Sequence, residues 1–215
     1  MVLMEIEMHR ILLGIWCFAF MSSIAQAVAI EVEGVPLSAT AMVAGQQLVL
    51  NGAGFHKRGY FKANATALYL PEKRTSLDAI NKLSGPKRIA IHVLREIPGS
   101  TISRYFLNDF KLVATDAEFR NLINEVASVG AIYSALPRVR KGDVVLIDWV
   151  PGKGLIVTYN GNPMEQGLFT PYLTTPNSEL LYQIFLRIYA GAAIPEELQR
   201  NLLGQSVSMT NQTEH

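Results

Sequence analysis

Apolar and polar residues alternate with the period of a β-strand over several stretches of the first 100 residues. This alternation in IEVEGVPL and QQLVLNG predicts two short strands around a turn within residues 30–50. YFKANATALYL is apolar on both faces and predicts a strand, or a strand pair, buried on at least one side. KRIAIHVLREI places Ile89, Ile91 and Val93 on one face and is mainly apolar on the other. This last pattern predicts a central strand.

Helical spacing follows the predicted central strand. Apolar residues recur at helical intervals at Ile102, Phe106, Phe110 and Val113, and a second stripe after Asp116 predicts another helix. The members of that second stripe are Phe119, Leu122, Ile123, Val126 and Val129. Both stripes are expected to face the core.

The last third of the chain returns to strands and then to helices. DVVLIDWV and LIVTYNG predict a hairpin closed by PGKG. Thr175 is a predicted N-cap with Pro176 at the first helical position, and a further short helix is predicted from Pro195 to Gly204. Strands before and after a block of helices predict an α+β fold, in which helices cover one face of an antiparallel sheet.

The N-terminal segment has the pattern of a secretory signal. Arg10 precedes the apolar run ILLGIWCFAFM, and small residues follow in SSIAQA. We predict a signal peptide at residues 1–27, with Ala29 as the alternative cleavage point and Met8 as an alternative start to Met1. The apolar run is shorter than the roughly 20 residues that span a bilayer, so no stable membrane anchor is expected after cleavage. The expected location is periplasmic or secreted.

Charge and cysteine content exclude several classes of protein. The chain has 19 basic and 18 acidic residues, and removal of residues 1–27 leaves 18 and 16. A net charge near +2 provides no electrostatic footprint for nucleic acid. The only cysteine is Cys17, inside the predicted signal, so neither a disulfide nor a thiolate metal site is expected in the mature protein.

No motif for phosphate binding, metal binding or nucleophilic catalysis is present in the sequence. NGAG matches neither GxxxxGK[ST] nor GxGxxG, and a strand-like segment follows it. His56, His92 and His215 lie far apart without ligand spacing, and no serine has the context of a nucleophile elbow. We therefore expect no metal and no cofactor.

GAGFHKR remains as the candidate site. His56, Lys57 and Arg58 place cationic donors at a strand end beside Tyr60 and Phe61. A cation next to apolar walls suits an amphipathic acid, whereas a solvated basic turn is the alternative interpretation.

These segments together resemble the chalcone-isomerase-like proteins, in particular their exported bacterial branch. The ordered set is LNGAGFHKRGYFKANATALYLPEK, GPKRIAIHVLREI, FLNDF, KGDVVLIDWVPGKGLIVTYNG and FLRIYAGAAIPEELQRNLLG. The resemblance implies one domain over residues 28–204, followed by a polar tail at 205–215. It implies an open-faced β-sandwich, with a large antiparallel sheet covered by helices and a ligand cleft between them. In this family the cleft either isomerises chalcones to flavanones or holds fatty acids.

The resemblance also places the polar catalytic positions of the isomerase. They fall at His56, Asn64 and Asn108, and near Thr101 and Arg187. Only Asn108 retains the residue type of the enzyme. An imidazole at His56 lacks the permanent forked charge of the family's arginine, and Thr101 lacks a phenol, although Arg58 or Arg187 can in principle approach the site.

We therefore expect an exported, non-catalytic protein that binds a small hydrophobic, anionic molecule such as a fatty acid. The expected polar contacts are His56, Lys57, Arg58, Tyr60, Asn64, Asn108 and Arg187, and the expected walls are Tyr60, Phe61, Phe106, Phe110 and Phe185. One alternative is an isomerase of the intramolecular lyase type acting on a conjugated substrate. The other is a partner-binding protein with a filled cleft.

Overall fold

The computed structural model describes residues 28–205. Its centre is an antiparallel sheet whose strands, numbered along the chain, lie in the order β11-β10-β9-β6-β5-β4-β3. The predicted signal peptide and nearly all of the predicted tail lie outside the described residues. The strands are β1 Val28–Val32, β2 Val35–Ser38, β3 Thr40–Val43, β4 Gln46–Arg58, β5 Phe61–Leu70, β6 Lys87–Val93, β7 Ile97–Pro98, β8 Arg138–Val139, β9 Val144–Val150, β10 Gly154–Tyr159, β11 Asn162–Pro163 and β12 Tyr172–Leu173. The helices are α1 Leu77–Lys82, α2 Gly99–Val113, α3 Asp116–Asn121, α4 Ile123–Ala135, α5 Ser178–Ala190 and α6 Glu196–Leu202.

The prediction that KRIAIHVLREI forms a central strand is confirmed, because β6 pairs with β5 on one side and β9 on the other. Its two apolar faces have different partners. Ile89 and Ile91 pack in the larger core with the helices, whereas Ala90 packs in a smaller core on the opposite face. Residues of the β1–β2 hairpin, including Leu37, cover that opposite face. The predicted α+β fold is confirmed, with helices on one face of the large sheet.

The predicted hairpin is also confirmed, because β9 and β10 pair in register from Gly154↔Val150 to Tyr159↔Val145. The helical predictions need two corrections. The stripe after Asp116 belongs to two helices, α3 and α4, which separate at the fully buried Leu122. Thr175 does not cap α5: Asn177 precedes that helix, and the Thr175 hydroxyl donates to Glu125 on α4 at 2.8 Å.

The last helix holds the long strand β4 in place. Asn51 on β4 donates through its side chain to the Leu202 carbonyl at 2.8 Å. A Cβ on Gly52 would lie 1.9 Å from the Asn201 carbonyl oxygen, so only glycine allows α6 to approach the strand this closely. Gly54 has a similar role, because a Cβ there would lie 2.5 Å from Leu198 Cδ1, so both glycines of NGAG allow α6 to pack against β4.

Candidate functional site

A cavity of about 80 Å³ lies between the helix-covered face of the sheet and helices α2, α4 and α5. Most of its wall is apolar. The apolar lining residues are Ala63, Ile91, Val93, Ile97, Ile102, Phe106, Leu136, Val139, Val145, Met164 and Ile188. The polar lining residues, which we call the polar cluster, are His56, Arg58, Asn64, Tyr105, Asp109, Tyr133 and Tyr189.

Strand alternation brings two of the three predicted cations into the cavity. His56 and Arg58 are two residues apart on β4 and both line it, as does Asn64, the partner of His56 on β5. Lys57 lies between them and its ammonium group sits over the ring of Phe55, 5.6 Å from the centroid. Lys57 does not line this cavity, although it lines a second cavity beside it.

His56 is a neutral, buried imidazole. Only 6% of the residue is exposed, and burial, together with the nearby charge of Arg58, lowers the pKa of His56 to about 4. It has a hydrogen bond with the backbone of Tyr189 that favours the protonated form, so the backbone partner is the carbonyl oxygen. Nε2 is buried and has no partner among the described residues. The bond to Tyr189 therefore uses Nδ1–H, and Nε2 keeps a free lone pair.

Arg58 is already neutralised by a carboxylate of the chain. Its Nη1 donates to Asp109 Oδ1 at 3.0 Å and its Nη2 donates to the other carboxylate oxygen. Although burial lowers the pKa of Arg58, the hydrogen bonds and charge of Asp109 raise it overall. The guanidinium also lies 5.0 Å from the ring centroid of Tyr105. The cation that the sequence predicts as an anchor for an anion is thus charge-balanced.

Two phenols complete the polar cluster. Tyr133 on α4 and Tyr189 on α5 are hydrogen-bonded to each other through their hydroxyls. Burial raises the pKa of both groups, so both are protonated at neutral pH. Tyr189 also packs edge-on against His56, with ring centroids 5.6 Å apart. The imidazole and the two phenols therefore form one connected group.

A second cavity of about 110 Å³ adjoins the first. His56, Arg58, Asp109 and Ile188 line both, so these side chains form the partition between them. Each cavity is smaller than the roughly 300–1,000 Å³ of typical small-molecule sites. A larger ligand therefore requires the partition or the wall to move. The wall includes Met164, whose unbranched side chain adapts readily.

Three of the predicted polar contacts and one predicted catalytic position lie away from the polar cluster. Tyr60 is fully exposed at the turn between β4 and β5, and Asn108 is exposed on α2. Thr101 is partly buried near the start of α2 and does not line the cavity. Arg187 binds Glu118 at 2.7 Å and the Val113 carbonyl at 2.9 Å, so it joins α5 to α2 and α3.

The predicted aromatic walls are also mostly core or surface residues. Phe106 lines the cavity, whereas Phe110 and Phe185 are fully buried in the core beside it. Phe61 packs beneath Arg95, with the guanidinium 4.0 Å from its ring centroid. Core packing thus accounts for two of the five predicted wall residues.

Sequence reasoning missed Tyr105, Asp109, Tyr133 and Tyr189. A signal for the first two was present in the stripe of α2. Positions 102, 105, 106, 109 and 110 share one helix face, so an acid at 109 interrupts an otherwise apolar and aromatic surface. Asn108, one position earlier, is rotated away from this face and is exposed.

The described residues contain no group of three or more His, Cys, Asp or Glu side chains suited to holding a metal ion. Among the helices of residues 28–205, none has the length and apolar character needed to cross a membrane.

Comparisons with known proteins agree with the fold. No curated protein matches the chain closely enough to serve as a relative. A crystal structure of a fatty-acid binding protein from Arabidopsis thaliana matches with a TM-score of 0.56 at 13% sequence identity. That match covers 80% of this chain and 92% of the Arabidopsis chain. A sequence model of the family described as chalcone isomerase-like matches residues 29–204, and the chain therefore belongs to the chalcone isomerase-like family.

Proposed function

We propose that this protein is a non-catalytic binder of a small hydrophobic molecule, which occupies the cavity beside the polar cluster. The observation that carries this proposal is the cavity itself, a mainly apolar space with polar groups gathered in its wall. Each methylene of a ligand buried there contributes about 0.8 kcal/mol. Hydrophobic contact can therefore supply much of the affinity.

Fatty acids are the first ligands to test, because a structurally similar Arabidopsis protein is a fatty-acid binding protein. The charge arrangement amends the expected headgroup chemistry. A carboxylate anchored by Arg58 has to compete with Asp109, which holds both terminal nitrogens of the guanidinium. The cavity therefore favours the apolar chain of a fatty acid more clearly than its negatively charged headgroup.

The position of the family's catalytic residues supports a non-catalytic role. Asn108 is the one residue that the resemblance carries over unchanged, and it is exposed on the outer face of α2. Ring closure also needs a donor that polarises the growing enolate. Arg58 is the nearest candidate in the cavity, and its charge is matched by that of Asp109.

Uptake by protein expressed from the full chain tests the binding proposal. We expect native mass spectrometry and displacement of a fluorescent alkyl probe to show saturable binding of aliphatic ligands. Ala63→Leu, which fills part of the cavity, should weaken uptake. Ala41→Leu, on edge strand β3 outside the cavity, is the matched control. Absence of binding to the folded protein contradicts the proposal, and turnover of chalcones by the same sample contradicts the non-catalytic role.

We also propose that the protein is exported and that its mature form begins at residue 28. The apolar N-terminal run and the small residues before that point support this. Cell fractionation followed by N-terminal sequencing tests it. Recovery of the intact chain in the cytoplasm contradicts it.

A further inference from the structure

We propose, on the basis of the function proposed above, that the polar cluster selects a neutral, hydroxyl-bearing amphiphile over a carboxylate. The hydroxyl donates to His56 Nε2 and accepts a hydrogen bond from the Tyr133–Tyr189 pair. A fatty alcohol is the simplest ligand of this class.

His56 sets the first requirement for the ligand, which is a hydrogen-bond donor. The residue is 94% buried, its Nδ1–H is used by the Tyr189 carbonyl, and its Nε2 has no partner in the part of the chain that the structure describes. A buried acceptor without a donor is unfavourable. A ligand that donates a hydrogen bond to Nε2 satisfies it, and a carboxylate cannot donate.

The phenols of Tyr133 and Tyr189 set the second requirement for the ligand, which is a hydrogen-bond acceptor. Tyr133 and Tyr189 together carry two hydroxyl hydrogens, and their mutual bond uses one of them. The mutual bond leaves the other hydrogen available for a hydrogen bond to a ligand. The cluster therefore presents one unused acceptor and one unused donor. A hydroxyl is the smallest group that complements both.

The charges in the cavity wall set the third requirement, which is that the ligand is neutral. Asp109 and Arg58 balance each other in the cavity wall, and His56, Tyr133 and Tyr189 are neutral. A carboxylate placed in the cavity beside the polar cluster adds a negative charge close to Asp109, and the cation of that cluster, Arg58, is already paired. In a partly buried site this repulsion is weakly screened.

Three eight-carbon ligands separate these effects: octanol, methyl octanoate and octanoate. The alcohol donates and accepts, the ester only accepts and is neutral, and the carboxylate only accepts and is charged. Their dissociation constants are measured at about pH 8, where carboxylic acids are ionised. We expect octanol to bind at least about tenfold more tightly than either of the others, which corresponds to about 1.4 kcal/mol.

His56→Phe should reduce the preference for octanol over the ester to about one while ester binding persists. His92→Phe is the matched control, because His92 lies on the same sheet but does not line the cavity. Equal or tighter binding of octanoate or of the ester by the unmodified protein overturns this inference and leaves the proposed function standing. Failure of all three ligands to bind the folded protein overturns the proposed function itself. If the His56 variant does not fold, the ranking in the unmodified protein decides.

Discussion

Arg58 on β4 and Asp109 on α2 form a two-pronged ion pair in the cavity wall, with one guanidinium nitrogen 3.0 Å from one carboxylate oxygen and the second nitrogen on the other oxygen. The pair joins the sheet to a covering helix and separates the two adjoining cavities. An acid supplied by the chain thus occupies the place that a ligand carboxylate was expected to take.

Removal of the Asp109 charge should therefore create a site for an anion. Asp109→Asn keeps the shape of the side chain and leaves Arg58 without a counter-charge, so we expect octanoate affinity to rise by at least about tenfold. Octanol affinity should change much less. Titration calorimetry measures both. Glu165→Gln, in an exposed loop, is the control, and unchanged octanoate binding in the Asp109 variant would show that the pair does not exclude anions.

Stability should depend on pH through His56. The folded-state pKa is about 4 and the ordinary value is 6.5, so the unfolded chain binds a proton between these values and the folded protein does not. The contribution of neutral His56 to the free energy of unfolding is therefore fully present above pH 6.5 and is lost as the pH falls toward 4. It amounts to about 3 kcal/mol over this window. The groups that face the imidazole are Arg58, Asp109 and Tyr189.

Urea unfolding at several pH values tests this dependence in the unmodified protein and in His56→Phe. We expect the variant to lose most of the decline between pH 6.5 and 4. His92→Phe serves for comparison, because burial also lowers the pKa of His92 but by less. Identical pH profiles for the unmodified protein and His56→Phe would contradict the prediction.

Gly99 should be essential for the packing of α2 against α4. A Cβ at this position would lie 2.0 Å from the Leu136 carbonyl oxygen and 2.3 Å from that of Tyr133. Gly99→Ala therefore forces the backbone of α2 away from these carbonyl groups and should lower the free energy of unfolding by about 1–3 kcal/mol. Gly130→Ala on α4 is the control. Its Cβ would have an ordinary 3.5 Å contact with Ser103, and alanine should stabilise the helix by about 0.5–1 kcal/mol. Denaturant unfolding distinguishes the opposite signs, and equal effects would contradict the packing argument.

Arg187 should affect stability and not ligand affinity. Arg187→Ala removes its bonds to Glu118 and to the Val113 carbonyl, which should lower the free energy of unfolding by about 1–2 kcal/mol. Octanol affinity should stay within about twofold of the unmodified value. Arg138→Ala, which breaks an exposed pair with Glu96, should cost less than about 1 kcal/mol. Loss of ligand affinity in the Arg187 variant would contradict this prediction and indicate that Arg187 takes part in ligand binding.

Much of the fold follows from local pattern. Strand β6 and the β9–β10 hairpin were predicted because their alternation and turn residues are sufficient to specify them. The break at Leu122 was missed because a buried leucine continues the apolar stripe through both helices. Thr175 was misassigned because its hydroxyl has an alternative partner, Glu125, which is remote in sequence.

The site was less predictable than the fold. His56, Arg58 and Asn64 reach the cavity because strand alternation and pairing place them there. Tyr133 and Tyr189 were missed because each lies on an apolar helix face where a core role is the ordinary expectation. Asn108 was misplaced because a resemblance transfers sequence position, whereas one residue on a helix rotates a side chain by about 100°.

The contact between α6 and β4 joins residues 151 positions apart, through Asn51 and Leu202. The same strand carries His56 and Arg58 a few residues later. The N-terminal half of the domain can therefore not reach its final arrangement until the ribosome has synthesised almost all of residues 28–205. Assembly of the binding cavity is accordingly a late event that requires α6, and its rate should be set by long loop closure more than by local helix formation.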